Sequence, residues 1–284
     1  MKIGIIGAGK VGATLGKYLS NAGICVTGYY SRTKKSADEA ATFTGTKTCQ
    51  SLAELAAASD TLFLTVPDGA IEQVWKEIAG LSIRQYIICH FSGSLSSHVF
   101  SGIGTAGAYG ISIHPMYAFS DKFASHENFH TAYLTMEGDD RALAVMRPLF
   151  ERLGHRVVTI CAEVKMKYHA AAAMASNEML GLMQASLDLL GECGIDQTDA
   201  MAMLTPLVQG NIHAMLEKGC VAALTGPMER NDVQTVRKHL EVLGDSEAGR
   251  IYQSMGATMI ALAQRKNPGR DYGELRQMFP ARER

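Results

Sequence analysis

Lys2-Ile3-Gly4-Ile5-Ile6-Gly7-Ala8-Gly9-Lys10-Val11-Gly12 is the stretch that decides the fold. A β-branched run runs straight into a GxGxxG loop, and Ala13-Thr14-Leu15-Gly16-Lys17-Tyr18-Leu19 then continues as a helix. In such a strand-loop-helix unit each glycine has a separate task. Gly7 allows the tight turn, Gly9 lets backbone approach a pyrophosphate, and Gly12 lets helix and strand pack closely, while the helix N-terminal amides face the phosphate charge. Gly7, Gly9, Lys10, Val11 and Gly12 are therefore expected to hold a dinucleotide, with a Gly-rich structural turn as the alternative.

The next strand-like run, Ile24-Cys25-Val26-Thr27-Gly28-Tyr29-Tyr30, ends in Ser31-Arg32-Thr33-Lys34-Lys35. An acidic residue at this point would bind a ribose 2′-hydroxyl and repel a 2′-phosphate. A hydroxyl and a guanidinium do the reverse, so Ser31 and Arg32 favour NADP(H) over NAD(H). The alternative is a solvated basic helix start.

The chain has 284 residues, a hydrophobic fraction of 47% and a formal net charge of −1. That length allows two domains and a sizeable core. The balanced charge carries no footprint for nucleic acid or an anionic membrane, so a small-molecule partner is expected. The six cysteines show neither CxxC nor Cys/His spacing, which points to reduced thiols and no metal site. Met1 runs directly into the first strand and no apolar run reaches membrane-spanning length, so a cytoplasmic protein is expected.

Further strands are predicted at Leu62–Val66, Tyr86–His90, Gly110–His114, Thr131–Thr135 and Arg156–Ile160. Alternation with helical segments implies a doubly wound, mostly parallel sheet. Beyond about Cys161 the pattern becomes Ala, Leu and Met at helical spacing. The division is therefore residues 1–160, α/β and dinucleotide-binding, and residues 161–284, all-α. A long helix is predicted from about Glu163 to Glu192, and Gly191 to Gly194, Leu204 to Pro206, Leu224 to Pro227 and Gly244-Asp245 are expected to break the rest into several helices.

Ligands of open α/β sheets collect beyond the carboxyl ends of the strands. Val66, Pro67 and Asp68 should lie near the nicotinamide ribose, and His90, Ser92 and His114 fall at the same rim. For each histidine a packing role is an equal alternative. At about 100° per residue, Lys165, His169 and Ser176 share one stripe of the long helix, with Asn177 roughly 80° from His169. An ammonium or imidazolium there can polarise a carbonyl and protonate the alkoxide formed from it, so Lys165 or His169 is the expected donor. A solvated lysine and a packed histidine are the alternatives. Arg230 can clamp a carboxylate or pair with Asp232, and Asp232 or Thr225 can cap a helix.

Over nearly its whole length the chain resembles bacterial oxidoreductases with a Rossmann-like N-terminal domain and a DUF2520 C-terminal domain. The motifs carrying the resemblance are Thr65-Val66-Pro67-Asp68, His90-Phe91-Ser92-Gly93, His114-Pro115, Lys165 to Ala171, Ser176-Asn177, and Ala223-Leu224-Thr225-Gly226-Pro227 with Arg230 and Asp232. The wider 6-phosphogluconate dehydrogenase-like group starts its interdomain helix with Lys-x-x-x-Asn; here the positions are Lys165 and His169. The usual Arg-Gly-Asp is Arg230-Asn231-Asp232. A ketopantoate reductase resemblance implies NADPH, a small anionic 2-oxo acid and a homodimer built through the helical domain. On that basis Lys165, His169 and Asn177 are expected to be catalytic, and Ser92, His114, Asn211 and Arg230 to orient the substrate. Other expectations compatible with the cofactor are an imine, a 3-hydroxyacid or a deazaflavin as substrate, or NADP(H) sensing without catalysis.

Overall fold

A computed structural model describes residues 1–279. The chain divides into two compact units, Met1–Ala173 and the remainder from Met174. The first contains β1 (Lys2–Ile6), α1 (Lys10–Asn21), β2 (Cys25–Tyr30), α2 (Lys34–Thr44), α3 (Leu52–Ala57), β3 (Thr61–Leu64), α4 (Asp68–Ala79), β4 (Ile87–His90), β5 (Tyr109–Met116), β6 (Tyr133–Gly138), α5 (Asp140–Arg152), β7 (Arg156–Thr159) and the opening turns of α6 (Lys165–Glu192). The division thus falls inside α6, and Lys165 and His169 belong to the sheet-containing unit.

The seven strands lie in the order β2-β1-β3-β4-β5-β6-β7. All neighbours are parallel except β5 and β6. Most predicted strand bounds move by one to three residues, and two of these shifts coincide with local side-chain hydrogen bonds. β3 ends at Leu64, and the Thr65 hydroxyl beyond it donates to the carbonyl of Gly7, 2.8 Å away. β6 begins at Tyr133 because Phe129–Thr131 is a 3-10 turn, in which the Thr131 hydroxyl donates to the Asn128 carbonyl at 2.8 Å.

Strand side chains alternate between faces, and the core divides accordingly. Ile3, Ile5, Phe63, Cys89, Ile111, Ile113, Leu134 and Met136 pack on one face with residues of α1, α2 and α5. Ile6, Leu62, Leu64 and Ile88 pack on the other with residues of α3 and α4, including Trp75. On β5 and β6 this second face changes character. The residues alternating with Ile111, Ile113, Leu134 and Met136 are Ser112, His114, Thr135 and Glu137. Buried polar side chains in place of aliphatic ones need partners, and the site is built from them.

The second unit holds the rest of α6, α7 (Gln197–Ala223), α8 (Pro227–Arg230), α9 (Val233–Leu243), α10 (Glu247–Lys266) and α11 (Gly273–Met278). Leu204 to Pro206 does not break the chain: α7 continues through Pro206. Proline removes one helical donor, and the neighbouring turn is held by the Thr205 hydroxyl, which donates to the Met201 carbonyl at 2.7 Å. Helical dihedrals fail at Gly219 instead. Asp196, Asp232 and Ser246 cap α7, α9 and α10 with their side chains. The core here consists of Leu224, Met228, Val236, Ile260, Ala263, Tyr272, Leu275 and Phe279.

Candidate cofactor and active site

The glycine loop has the shape its sequence predicts. Gly7 adopts φ +103°, and a Cβ there would lie 2.7 Å from the Thr65 carbonyl oxygen. A Cβ at Gly12 would collide with the carbonyl oxygen of Gly7, whereas one at Gly9 would meet nothing within 4 Å. The loop is closed where strand and helix pack and open where a ligand would approach. Gly9 is the N-cap of α1 and offers no side-chain cap, so the first amides keep their donor capacity for an anion. Lys10 is exposed and Val11 half-buried beside them. At the end of β2, Ser31 is half-buried, while Arg32, Lys34 and Lys35 are exposed.

Val66 and Pro67 follow β3, with Pro67 as the N-cap of α4. Asp68 has a fixed local role: one of its carboxylate oxygens accepts from the Ser92 and Ser94 hydroxyls, each at 2.7 Å. The Ser92 hydroxyl in turn accepts the amides of Ser94 and Leu95 at 3.1 and 2.9 Å. Together these bonds fold the loop after β4 back toward α4.

Sheet register places His90 beside Ser112 and Ser112 opposite Glu137. These three form a polar row across β4, β5 and β6, all buried. Lys165, 1% exposed, completes it by donating from Nζ to the Ser112 hydroxyl. Burial lowers the Lys165 pKa from 10.5 to about 8, against the opposing pull of Glu137 and Asp68. An ammonium so placed is charged at neutral pH yet releases its proton more readily than a solvated lysine. Burial, reinforced by Lys165, pushes His90 and His114 down to about 4. Both imidazoles are therefore neutral at physiological pH.

The next row is His114 and Thr135. His114 Nδ1 and the Tyr168 hydroxyl share a hydrogen bond of 2.8 Å, and His169 stands edge-on to His114 with ring centroids 5.9 Å apart. Gly93 explains how the rings fit: a Cβ there would strike His169 Nδ1 and lie 2.8 Å from His114 Nε2. His169 Nδ1 is buried without a hydrogen-bond partner among the described residues.

Of the sequence-predicted residues, the first unit contains Asp68, Ser92, His114, Lys165 and His169 together on one face and its adjoining loops. Asn177, Asn211 and Arg230 belong to the second unit, where all three are exposed. Asn177 accepts from the Ser176 hydroxyl at 3.1 Å. Arg230 forms no ion pair with Asp232; that carboxylate accepts instead from the Thr235 amide at 3.1 Å and the Thr235 hydroxyl at 2.8 Å. Asn231 has φ +60°, a left-handed conformation that asparagine tolerates better than most residues after glycine. This accounts for Asn standing where the resembled motif has Gly.

Ser112, Glu137 and Tyr168 were missing from the sequence-predicted site. Tyr168 lies on α6 beside His169, whereas the signal of Ser112 and Glu137 was present in the strand pattern, since both interrupt apolar alternation at buried positions. What made them a site was the cross-strand register, which one strand read alone does not contain.

Residues 1–115 match the Rossmann-like domain family, and residues 132–259 match the family described as a domain of unknown function, DUF2520. No curated protein matches the chain. Among solved structures, a protein from Thermotoga maritima is similar at 25% identity and a TM-score of 0.75, over 93% of this chain and 99% of that one. An imine reductase from Myxococcus stipitatus in complex with NADP+ is similar at 16% identity and a TM-score of 0.66, over 98% and 99%. A 1-pyrroline-5-carboxylate reductase from Streptococcus pyogenes is similar at 17% identity and a TM-score of 0.62, over 93% and 98%. Along the chain, then, a match to the Rossmann-like domain family is followed by a match to the DUF2520 family.

Proposed function

We propose that the protein is an NADP(H)-dependent reductase of a small anionic carbonyl compound, with 2-dehydropantoate as the first candidate substrate. The observation that carries this reading is Lys165, a buried lysine bonded to Ser112 on a polar sheet face in a unit whose glycine loop is open only at Gly9.

The loop fits the cofactor through its uncapped helix terminus and the room at Gly9, and Ser31 with Arg32 fit the 2′-phosphate. When bound, reduced nicotinamide supplies the hydride. Lys165 Nζ holds the carbonyl oxygen and gives it a proton as negative charge develops there. Ser112 fixes the ammonium by accepting one of its hydrogens. Neutral His114, held by Tyr168, and His169 orient the substrate. Ser92 is committed to Asp68 and the loop backbone, so its part is to shape the rim. Asn177, Asn211 and Arg230 are proposed as further substrate contacts, Arg230 toward the carboxylate.

A second reading, reduction of a C=N bond, is favoured by the similarity to an imine reductase and a pyrroline-5-carboxylate reductase. The same lysine would serve an imine nitrogen. A homodimer built through the helical domain belongs to the proposal and is supported by the exposed Met and Leu side chains of α6 and α7.

The test is the initial rate of NADPH oxidation with 2-dehydropantoate, then with cyclic imines, and with NADH as the control. Saturable NADPH-preferring turnover that falls at least about 100-fold in Lys165→Ala, with NADPH binding retained, is expected. Turnover unchanged by Lys165→Ala overturns the mechanism. Tight NADPH binding without turnover on any substrate overturns the enzyme reading in favour of a sensor.

A further inference from the structure

Two buried groups of opposite charge type share one face of the sheet without touching. Lys165 is 1% exposed and Glu137 3%, and no direct ion pair joins them among the described residues. Ser112 stands between: it accepts Lys165 Nζ and lies directly opposite Glu137 in the β5–β6 register. Opposed residues of an antiparallel pair hold their Cβ atoms about 5 Å apart, so the carboxylate lies one side chain away from the group that receives the lysine's hydrogen bond. It is also fixed from behind. The Ser97 amide donates to one carboxylate oxygen at 2.7 Å, and the Ser97 hydroxyl donates to the other at 2.8 Å.

We propose that Glu137 is a positioning residue of this site, the counter-charge that keeps Lys165 in its proton-donating form through Ser112. A charge buried alone is strongly disfavoured, and an opposite charge nearby offsets part of that cost. The other titratable groups facing Lys165 cannot replace Glu137. His90 from β4 and His114 from β5 are neutral at physiological pH. His169 lies on Lys165's own helix and makes no ion pair among the described residues. Asp68, from α4, is tied to Ser92 and Ser94, and its pull on Lys165 is weaker than that of Glu137.

The proposal rests on Lys165 as proton donor, but its first readout does not need turnover. The titration of Lys165 is followed by 15Nζ NMR in the cofactor-free protein, with the signal assigned by its loss in Lys165→Arg. Glu137→Gln is expected to lower the Lys165 midpoint by about one pH unit or more. In the active enzyme the alkaline limb of kcat/KM should move down by the same amount, with NADPH affinity unchanged. A folded Glu137→Gln protein in which the Lys165 midpoint stays put overturns the proposal. If Glu137→Gln fails to fold, Glu137→Asp decides: withdrawing the carboxylate by one methylene should give a smaller fall, and an unchanged midpoint overturns the proposal. Failure here is distinct from failure of the catalytic reading, which would appear as turnover surviving Lys165→Ala whatever the titration shows.

Discussion

The two units bury their apolar residues differently. In the first, apolar residues pack on both faces of a seven-stranded sheet, and a row of buried polar residues on β4, β5 and β6 meets Lys165. In the second, α8 to α11 share a core, while α6 and α7 leave Leu180, Leu207 and Leu216 exposed at 66%, 60% and 77%. Large apolar patches on a folded surface mark interaction sites. The first unit packs apolar residues against both faces of its sheet, and the second carries apolar helices in excess of what its own core uses.

The sharpest way to break this comparison is through close-packed glycines. Gly12→Ala places a methyl against the backbone carbonyl of Gly7, which cannot move without undoing the loop. NADPH binding should be lost, with destabilisation of roughly 3 kcal/mol or more. Gly256→Ala in the second unit meets the Phe279 ring instead. A side chain can yield, so the thermal shift should be smaller, and calorimetry of the two variants compares them.

Acid should separate the units. His90 has its pKa depressed from 6.5 to about 4. The unfolded chain therefore binds this proton first, and stability falls as pH drops from about 6.5 to 4. His90 alone accounts for roughly 3 kcal/mol over that window, and His114 acts in the same direction. In the second unit, hydrogen bonds from Asn267 and Thr235 hold Glu229 and Asp232 below their ordinary values of 4.5 and 3.8. Their contribution persists until lower pH, disappearing as pH falls through the depressed values. Hydrogen exchange at pH 5 should show the sheet loosening while α8 to α11 stay protected; uniform loosening would refute the distinction.

A third test addresses the exposed helices. Leu207→Glu with Leu216→Glu should weaken self-association about 100-fold, read by light scattering, while circular dichroism stays unchanged, because neither residue is in the core of a single chain. Leu149→Glu, at a buried position of α5, should unfold the first unit. The smallest expected effect is on cofactor choice. Arg32→Ala should cut the preference for NADPH over NADH about tenfold, measured as a ratio of kcat/KM values.

Strand positions were legible wherever a strand was a short apolar run bounded by glycine or proline, as at Ile3 to Ile6 and Leu62 to Leu64. It blurred at Thr131, where a side-chain hydrogen bond to Asn128 makes a turn from β-forming residues, and at Pro206, where the helix tolerates the missing donor. Lys165 and His169 stood out through helical spacing. Glu137 did not, because its importance comes from the strand beside it.

By itself the sequence determined what depends on neighbours along the chain: the glycine loop, the basic end of β2, the change from alternating to helical periodicity and the single stripe of Lys165 and His169. Only the tertiary structure decided which polar residues share a face. His90, Ser112 and Glu137 lie far apart in sequence and become one row through parallel and antiparallel register. Burial beside that row then lowers the pKa of Lys165. Backbone conformation and periodicity are local properties, whereas desolvation and charge compensation depend on which segments the fold brings together.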